Sequence, residues 1–286
     1  MSRSTARPRA GVRPATTRHE FYTATDGTAV GMFVIAPTSC MDGPDHPRAT
    51  ILTGYGGFGV SMLPRFHPEV VAWVQAGGVF AIACLRGGGE QGLDWHRAGM
   101  REHKQRAFDD FHDAARWLVD DGWTSPQQLG ILGASNAGLL VGAALTQRPD
   151  LFGAAVCVAP LLDMARYERF GLGPSWREEY GSASDPEELD WLLSYSPYHR
   201  VTSETDCPAT MFIVFEADTR VHPMHARKMC AALQDANAAS TPILYHPIPA
   251  AGHGARAASR DAVIAADTLA FLAHHTGLEA MADDGW

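Results

Sequence analysis

One serine stands where it could act as a nucleophile. Ser135 lies in the segment 133–138, Gly-Ala-Ser-Asn-Ala-Gly, which follows a predicted strand and opens an apolar helix. A sharp strand-turn-helix bend lifts such a serine hydroxyl above a sheet, where a base and a substrate can both reach it. The bend needs small residues two places before and after the serine, and Gly133 and Ala137 meet that need. The hexapeptide alone also fits a turn with a capping serine, so its interpretation depends on partners elsewhere.

Two later segments supply those partners. Asp218 follows a predicted buried strand, and His253 lies between two glycines after the last predicted strand. In α/β proteins the loops at the carboxyl ends of parallel strands gather at one edge of the sheet. The chain order Ser, Asp, His is the order of α/β-hydrolases. A histidine between glycines on a loop is also a poor core residue, so the three segments together predict a catalytic triad.

The chemistry assigns each residue a role. A serine hydroxyl is a weak nucleophile and must lose its proton as it attacks. His253 is expected to take that proton and later give it to the leaving group, while Asp218 fixes the imidazole tautomer and stabilises the imidazolium. The tetrahedral oxyanion needs donors already in place, and the backbone N–H of Asn136 is one. The expected intermediate is an acyl ester of Ser135.

These loops need a sheet to hold them, and the chain alternates strands and helices as such a sheet requires. A predicted hairpin, 19–25 and 29–36, comes first, and predicted strands follow at 49–53, 79–84, 128–132, 154–158, 210–215 and 243–247. Predicted helices lie at 68–76, 106–121, 139–147, 225–236 and 259–276. This alternation is typical of an α/β fold with a mostly parallel central sheet and helices on both faces. We expect one α/β-hydrolase domain over residues 19–286.

Two segments depart from the alternation. Residues 1–18 carry five arginines and no acid, lack periodicity and are interpreted as a disordered basic tail. Residues 161–207 interrupt the alternation and contain tryptophans and tyrosines, among them Trp176 and Tyr180. We interpret this second segment as a helical excursion that forms a pocket wall or a lid.

Composition limits the partners and the compartment. A net charge of −9 disfavours nucleic acid, because phosphate binding needs clustered Lys and Arg. The sequence has neither an apolar run of about 18 residues that could span a membrane nor a secretory signal. The five widely spaced cysteines include no CxxC pair, which favours the cytoplasm. The 13 histidines show no metal-ligand spacing, so neither a metal nor another cofactor is expected.

Taken together, the motifs resemble those of the prolyl oligopeptidase family of serine peptidases, in its catalytic domain. They include Tyr-Gly-Gly-Phe at 55–58, Arg-Gly-Gly-Gly-Glu at 86–90, Asp-Thr-Arg-Val at 218–221 and Ala-Gly-His-Gly at 251–254. The resemblance covers residues 19–275. It implies cleavage of a peptide or amide bond after proline or a small apolar residue.

The resemblance also implies roles that spacing does not show. Tyr55 matches a tyrosine whose hydroxyl is the second oxyanion donor, and Arg220 matches an arginine that binds a substrate backbone carbonyl. The pocket for the residue before the scissile bond is matched by four residues, Phe58, Trp176, Tyr180 and Val221. An ordinary aromatic core is the competing interpretation of Trp176 and Tyr180.

In length the chain differs from the family. A typical member also carries a β-propeller, for which 286 residues leave no room. Peptide cleavage therefore competes with two alternatives. One is an esterase or an acyl-transfer tailoring enzyme of a biosynthetic pathway, and the other is a non-catalytic binding module. A bare domain would also expose the face where a propeller sits, so a homodimer that shields the mouth is a further hypothesis.

Overall fold

Eight strands form one sheet in the computed structural model, which describes residues 13–41, 46–253 and 258–279. The strands are β1 (Ala15–Thr23), β2 (Ala29–Pro37), β3 (Thr50–Gly54), β4 (Val79–Cys84), β5 (Leu129–Ala134), β6 (Ala154–Val158), β7 (Ala209–Phe215) and β8 (Ile243–Ile248). Their order across the sheet is β1-β2-β4-β3-β5-β6-β7-β8. β2 pairs antiparallel with both β1 and β4, and all pairs from β4 to β8 are parallel.

Helices cover both faces of this sheet. They are α1 (Pro68–Gln75), α2 (Leu93–Arg97), α3 (Gln105–Asp120), α4 (Asn136–Gln147), α5 (Arg177–Tyr180), α6 (Pro186–Tyr195), α7 (Met224–Ala236) and α8 (Ala258–Thr276). One apolar core lies under α3, α4 and α7, and a second lies under α1 and α8. Successive strand residues face opposite cores, as Ile51 and Leu52 do. The predicted α/β-hydrolase fold is confirmed.

The sheet brings the candidate catalytic segments to one edge. β3, β5, β7 and β8 run parallel, so the loops that follow them emerge on the same side. β4 and β7 are buried along their whole length, which gives the edge a rigid support. No helix in the described part of the chain is long and apolar enough to cross a bilayer.

The predicted disordered tail, residues 1–18, extends too far, because its last residues belong to a strand. β1 already begins at Ala15, and Arg18 pairs with Val34 of β2. The sequence hid this because β1 is an edge strand whose residues are mostly exposed, so apolar alternation is weak. Residues 1–12 lie outside the described residues.

The segment 161–207 holds α5 and α6 and several short 3₁₀ turns. Asp185 caps α6, because its carboxylate accepts the backbone N–H groups of Glu187 and Glu188 at 2.9 and 3.2 Å. The aromatic side chains Tyr167, Tyr180 and Tyr195 are buried within the segment or against the domain. The segment packs against α4, α7 and the turn at Arg101–His103.

Candidate active site

Ser135 sits in a strained turn between β5 and α4. Its φ of 59° and ψ of −118° lie outside the regions that L-residues favour, a cost that surrounding contacts must offset. Its backbone N–H donates to Val158 O at 2.9 Å, which fastens the turn to β6. A side chain at Gly133 would place Cβ 2.1 Å from Ala137 O, so the turn requires glycine there. The backbone N–H of Asn136 opens α4 and has no partner within the helix.

Asp218 and His253 lie together, on the loops after β7 and β8. Their closest atoms, Asp218 Oδ2 and His253 Nδ1, are 2.6 Å apart. The other oxygen, Asp218 Oδ1, accepts the backbone N–H groups of Arg220 and Val221 at 2.8 and 3.0 Å. Because the carboxylate occupies Nδ1, that nitrogen carries the proton and Nε2 remains the basic atom.

The two loops also bind each other through the main chain. Ala217 N–H donates to Ala251 O at 3.0 Å, and Glu216 N–H donates to Ile248 O at 3.2 Å. The Asp218 side chain is almost fully buried, whereas 13% of the His253 side chain is exposed. No hydrogen bond joins Ser135 to His253, both of which the structure describes. Substrate-free sites often hold such contacts long and tighten them when substrate binds.

Tyr55, directly after β3, lies beside the serine. Burial and, secondly, the Glu179 carboxylate raise the pKa of the Tyr55 phenol. Arg220 and contact with the Ser135 hydroxyl oppose part of that shift. The phenol therefore keeps its proton near neutral pH and can donate a hydrogen bond to an oxyanion. The Tyr55 carbonyl accepts Asn136 Nδ2 at 2.6 Å, which ties this loop to the start of α4.

A small cavity of about 170 Å³ opens on the serine. It is lined by Tyr55, Phe58, Ser135, Asn136, Leu161, Trp176, Tyr180 and Arg220. Drug-sized ligands usually need about 300 Å³ or more, so this space suits a single compact group. The structure thus brings all but one of the predicted oxyanion and substrate-binding residues to one cavity. Leu161 is an addition that the sequence did not signal.

The aromatic wall is held by specific contacts. The Tyr180 hydroxyl donates to Asn136 Oδ1 at 2.7 Å, and burial raises the pKa of Tyr180 well above its usual value. The Phe58 ring meets the Tyr180 ring edge-on, with centroids 5.5 Å apart. Trp176 is half-buried on the cavity, so its position differs from that of a fully enclosed core residue.

Val221 is placed differently from its prediction as a pocket wall. Its side chain is buried in the core beneath Asp218 and does not line the cavity beside Ser135. Its backbone N–H instead donates to the Asp218 carboxylate. The prediction for Val221 is corrected on this point, because the backbone turn after Asp218 carries the side chain inward.

Sequence reasoning missed an ionic network next to the cavity. Lys104 Nζ lies 2.8 Å from Glu179 Oε1, and His96 Nε2 lies 2.8 Å from Glu179 Oε2. Lys104 and Glu179 are 1% and 3% exposed. Because the two residues are 75 positions apart in the chain, local spacing gives no sign that they meet.

The sheet order and the strained serine between β5 and α4 define an α/β-hydrolase. A sequence model of the prolyl oligopeptidase family matches residues 64–279, and the chain belongs to that family. It is 40% identical over 261 residues to a prolyl endopeptidase of Elizabethkingia miricola, a match that covers 91% of this chain and 37% of the relative. It is 39% identical over 268 residues to the dual function macrocyclase-peptidase POPB of Galerina marginata, covering 91% and 36%.

Solved structures agree with this membership. A structure from a mechanistic study of two prolyl endopeptidases has a TM-score of 0.89 and 45% identity, over 93% of this chain and 39% of that one. Prolyl oligopeptidase B from Galerina marginata, bound to a 35mer hydrolysis and macrocyclization substrate, has a TM-score of 0.88 and 38% identity, over 93% and 38%. The chain spans between a third and two fifths of the length of these relatives.

Proposed function

We propose that this domain is a serine peptidase that cleaves an amide bond after proline or a small apolar residue. The observation that carries the proposal is the aromatic cavity of about 170 Å³ that opens on Ser135 and Tyr55. The hydrogen-bonded pair of Asp218 and His253 supports it from the same edge of the sheet. Membership of the prolyl oligopeptidase family supports the same chemistry.

Acylation begins with attack of Ser135 Oγ on the scissile carbonyl carbon. His253 Nε2 accepts the serine proton, and the Asp218 carboxylate stabilises the imidazolium that forms. The carbonyl oxygen becomes an oxyanion that receives hydrogen bonds from the Tyr55 hydroxyl and the Asn136 backbone N–H. His253 then protonates the leaving amine as the carbon–nitrogen bond breaks, which leaves an acyl ester on Ser135.

Deacylation repeats these steps with water as the nucleophile. His253 takes a proton from the water, and the same two donors hold the second oxyanion. The bond from the carbonyl carbon to Ser135 Oγ then breaks, His253 returns the proton to Oγ, and the carboxylic acid product leaves. The proline ring before the scissile bond occupies the cavity, where the Trp176 indole offers it a flat apolar face. The exposed Arg220 guanidinium, also on the cavity, binds a backbone carbonyl of the substrate.

Acyl transfer is the second candidate. An amine that replaces water in deacylation would turn the same intermediate into a new amide. A relative 39% identical to this chain is named a macrocyclase-peptidase, which favours this candidate over a plain esterase. The two outcomes share every step up to the acyl ester of Ser135.

A covalent probe, a Gly-Pro anilide with and without an added amine, and a short ester distinguish these functions. A fluorophosphonate probe is expected to add one label per chain, at Ser135, in wild type and none in Ser135→Ala. Cleavage of a Gly-Pro anilide supports the peptidase, and a peptide product joined to an added amine supports acyl transfer. Turnover of only a short p-nitrophenyl ester supports an esterase. Absence of labelling contradicts all three and favours a binding module.

We further propose that the domain works in the cytoplasm as a homodimer. All five cysteines are buried free thiols, which supports a reducing compartment. Large apolar side chains are exposed on the loop after β3, at the start of α2 and in the segment before α5, namely Val60, Leu63, Phe66, Leu93 and Leu172. Such surface favours burial against a second copy. Light scattering over a wide concentration range is expected to give twice the chain mass, and a monomer at micromolar concentration contradicts the dimer.

A further inference from the structure

The buried pair of Lys104 and Glu179 reaches the loop that carries Tyr55. Besides Glu179, Lys104 Nζ donates to the Gly56 carbonyl oxygen at 2.8 Å. The backbone amide of Phe58 also stabilises the Glu179 carboxylate. The pair therefore holds the loop at Gly56 and at Phe58, one and three positions after Tyr55.

That loop is strained and tightly packed, so it needs such support. Phe58 has a φ of 56°, which is unfavourable for a residue with a side chain. A Cβ on Gly57 would lie 2.7 Å from Asn136 Nδ2 and 2.8 Å from Lys104 Nζ. The loop thus rests directly on the Lys104 ammonium and the Asn136 amide. Strained backbone of this kind persists only where surrounding contacts over-determine it.

The contacts close into a ring. From Gly56 the ring runs through Lys104 to Glu179, whose neighbour Tyr180 donates to Asn136 Oδ1 at 2.7 Å. Asn136 Nδ2 returns to the Tyr55 carbonyl at 2.6 Å. Lys104 Nζ also lies 5.3 Å from the centre of the Tyr180 ring. This closed set of contacts joins the oxyanion donors to the aromatic wall of the cavity.

Neither Lys104 nor Glu179 lines the cavity, so neither is placed to touch a substrate. A stabilising role alone is a weak explanation, because burying two charges costs about as much as their attraction returns. Burial by itself would raise the pKa of Glu179, but Lys104 and His96 outweigh it and hold that pKa below its usual value. Burial lowers the pKa of Lys104, and Glu179 opposes that shift. The 2.8 Å contact between Lys104 Nζ and Glu179 Oε1 is the geometry on which the pairing rests.

We infer that Lys104 and Glu179 are positioning residues for catalysis: their ion pair fixes the loop 55–58 so that the Tyr55 hydroxyl meets the oxyanion, and it ties this geometry to the substrate cavity. The inference rests on the proposed acylation of Ser135. It extends that chemistry to two side chains that act only through Tyr55 and Asn136.

The test is a mutant cycle between Lys104→Met and Tyr55→Phe. Lys104→Met is expected to lower kcat for a Gly-Pro anilide about 100-fold while KM stays within about threefold, because displacement of a catalytic group by 1 Å costs on this order. In the Tyr55→Phe background the same substitution is expected to cost less than about threefold more, since the group it positions is already gone. Equal losses in both backgrounds, or a rise in KM alone, would overturn the inference.

Two further variants guard against misfolding. Lys104→Met removes the ammonium partner of the buried Glu179 carboxylate, so the neutral pair Lys104→Met with Glu179→Gln serves as the second variant and is expected to show the same loss of kcat. Lys228→Met is the matched control, because it breaks the ion pair with the buried Asp163 away from the cavity. It is expected to keep kcat, and an equal loss there would show that removing the lysine partner of any buried carboxylate suffices.

Fluorophosphonate labelling separates this inference from the proposed peptidase activity. Labelling forms a bond from Ser135 Oγ to phosphorus as fluoride leaves, so it uses the serine, its base and the oxyanion donors but needs neither an amine leaving group nor proline. If wild type labels but does not cleave the anilide, the peptidase proposal fails while the labelling rates still test the cycle. Equal labelling rates in wild type and in both Lys104 variants would overturn the positioning role alone.

Discussion

The two sides of Ser135 are built in different ways. On the oxyanion side, Tyr55, Asn136 and Tyr180 are joined by side-chain hydrogen bonds of 2.6 and 2.7 Å and backed by a buried ion pair. On the proton-transfer side, the His253 side chain contacts the Asp218 carboxylate at 2.6 Å and remains partly exposed. The donors for developing charge are thus tied to each other and to a buried ion pair, whereas the base has a carboxylate partner at Nδ1 and is partly open to solvent.

This difference matches what each side must do. Electrostatic stabilisation depends on donors that do not reorganise as charge develops. A general base must serve two oxygens and a leaving nitrogen in turn, so a histidine on a loop is suited to the task. Substitutions on the two sides are therefore expected to differ in size and in the kinetic constant that they change.

Removal of the nucleophile or the base is expected to have the largest effect. Ser135→Ala and His253→Ala are each expected to lower kcat by about 10⁶-fold, and the double variant little further, because the triad acts as a unit. Steady-state kinetics together with thermal melting measure this. Near-normal activity of His253→Ala with an intact fold would show that another group is the base.

Asp218→Asn is expected to lower kcat about 10⁴-fold, because an amide no longer fixes the imidazole tautomer. The asparagine oxygen can still accept the two backbone N–H groups that now bind Asp218 Oδ1, so the loop should stay folded. Asp218→Ala removes that acceptor as well and is expected to melt at a lower temperature. Equal activity of Asp218→Asn and wild type would remove Asp218 from the triad.

Tyr55→Phe breaks the oxyanion side at its centre. It is expected to lower kcat about 10²- to 10³-fold with little change in KM, since the phenol acts only as charge develops. The Phe58→Leu variant, which alters the same loop without removing a donor, is the control and should change KM more than kcat. If Tyr55→Phe raises KM and leaves kcat unchanged, Tyr55 is a binding residue.

Trp176→Ala is expected to lower activity less than the substitutions of Ser135, His253, Asp218 and Tyr55. Loss of an apolar face in the cavity should lower kcat/KM for a Gly-Pro anilide about 10-fold, the size typical of one missing apolar contact. Hydrolysis of p-nitrophenyl acetate, whose acetyl group brings no proline ring to the cavity, should change little. An equal loss for both substrates would indicate that Trp176 supports the fold and not the proline pocket.

The features that could be predicted from the sequence are those that depend on local residue patterns and on the order of motifs along the chain. The turn at Ser135 and the loop positions of Asp218 and His253 could be predicted, because strand, loop and helix patterns surround each residue. The family prediction is confirmed, whereas the catalytic roles remain predictions for the variants above.

The rest depends on contacts between distant segments. Lys104 and Glu179 each sit in an unremarkable polar stretch, and only the folded chain buries them together. An aspartate favours the turn at 218–221, but whether the Val221 side chain faces the core or the cavity depends on packing that the sequence does not record. β1 was read too short because an exposed edge strand carries little apolar alternation.

The central claim is that the triad acylates Ser135 with a substrate whose proline lies in the adjacent cavity, and trapping that acyl group tests the claim most directly. Wild type would be mixed with a Gly-Pro p-nitrophenyl ester, quenched in acid within one turnover, and analysed by intact mass and peptide mapping. We predict a mass increase equal to one Gly-Pro acyl group on the peptide that contains Ser135, and no increase in Ser135→Ala. Ester cleavage by wild type with no adduct, or with an adduct on another residue, would contradict the account.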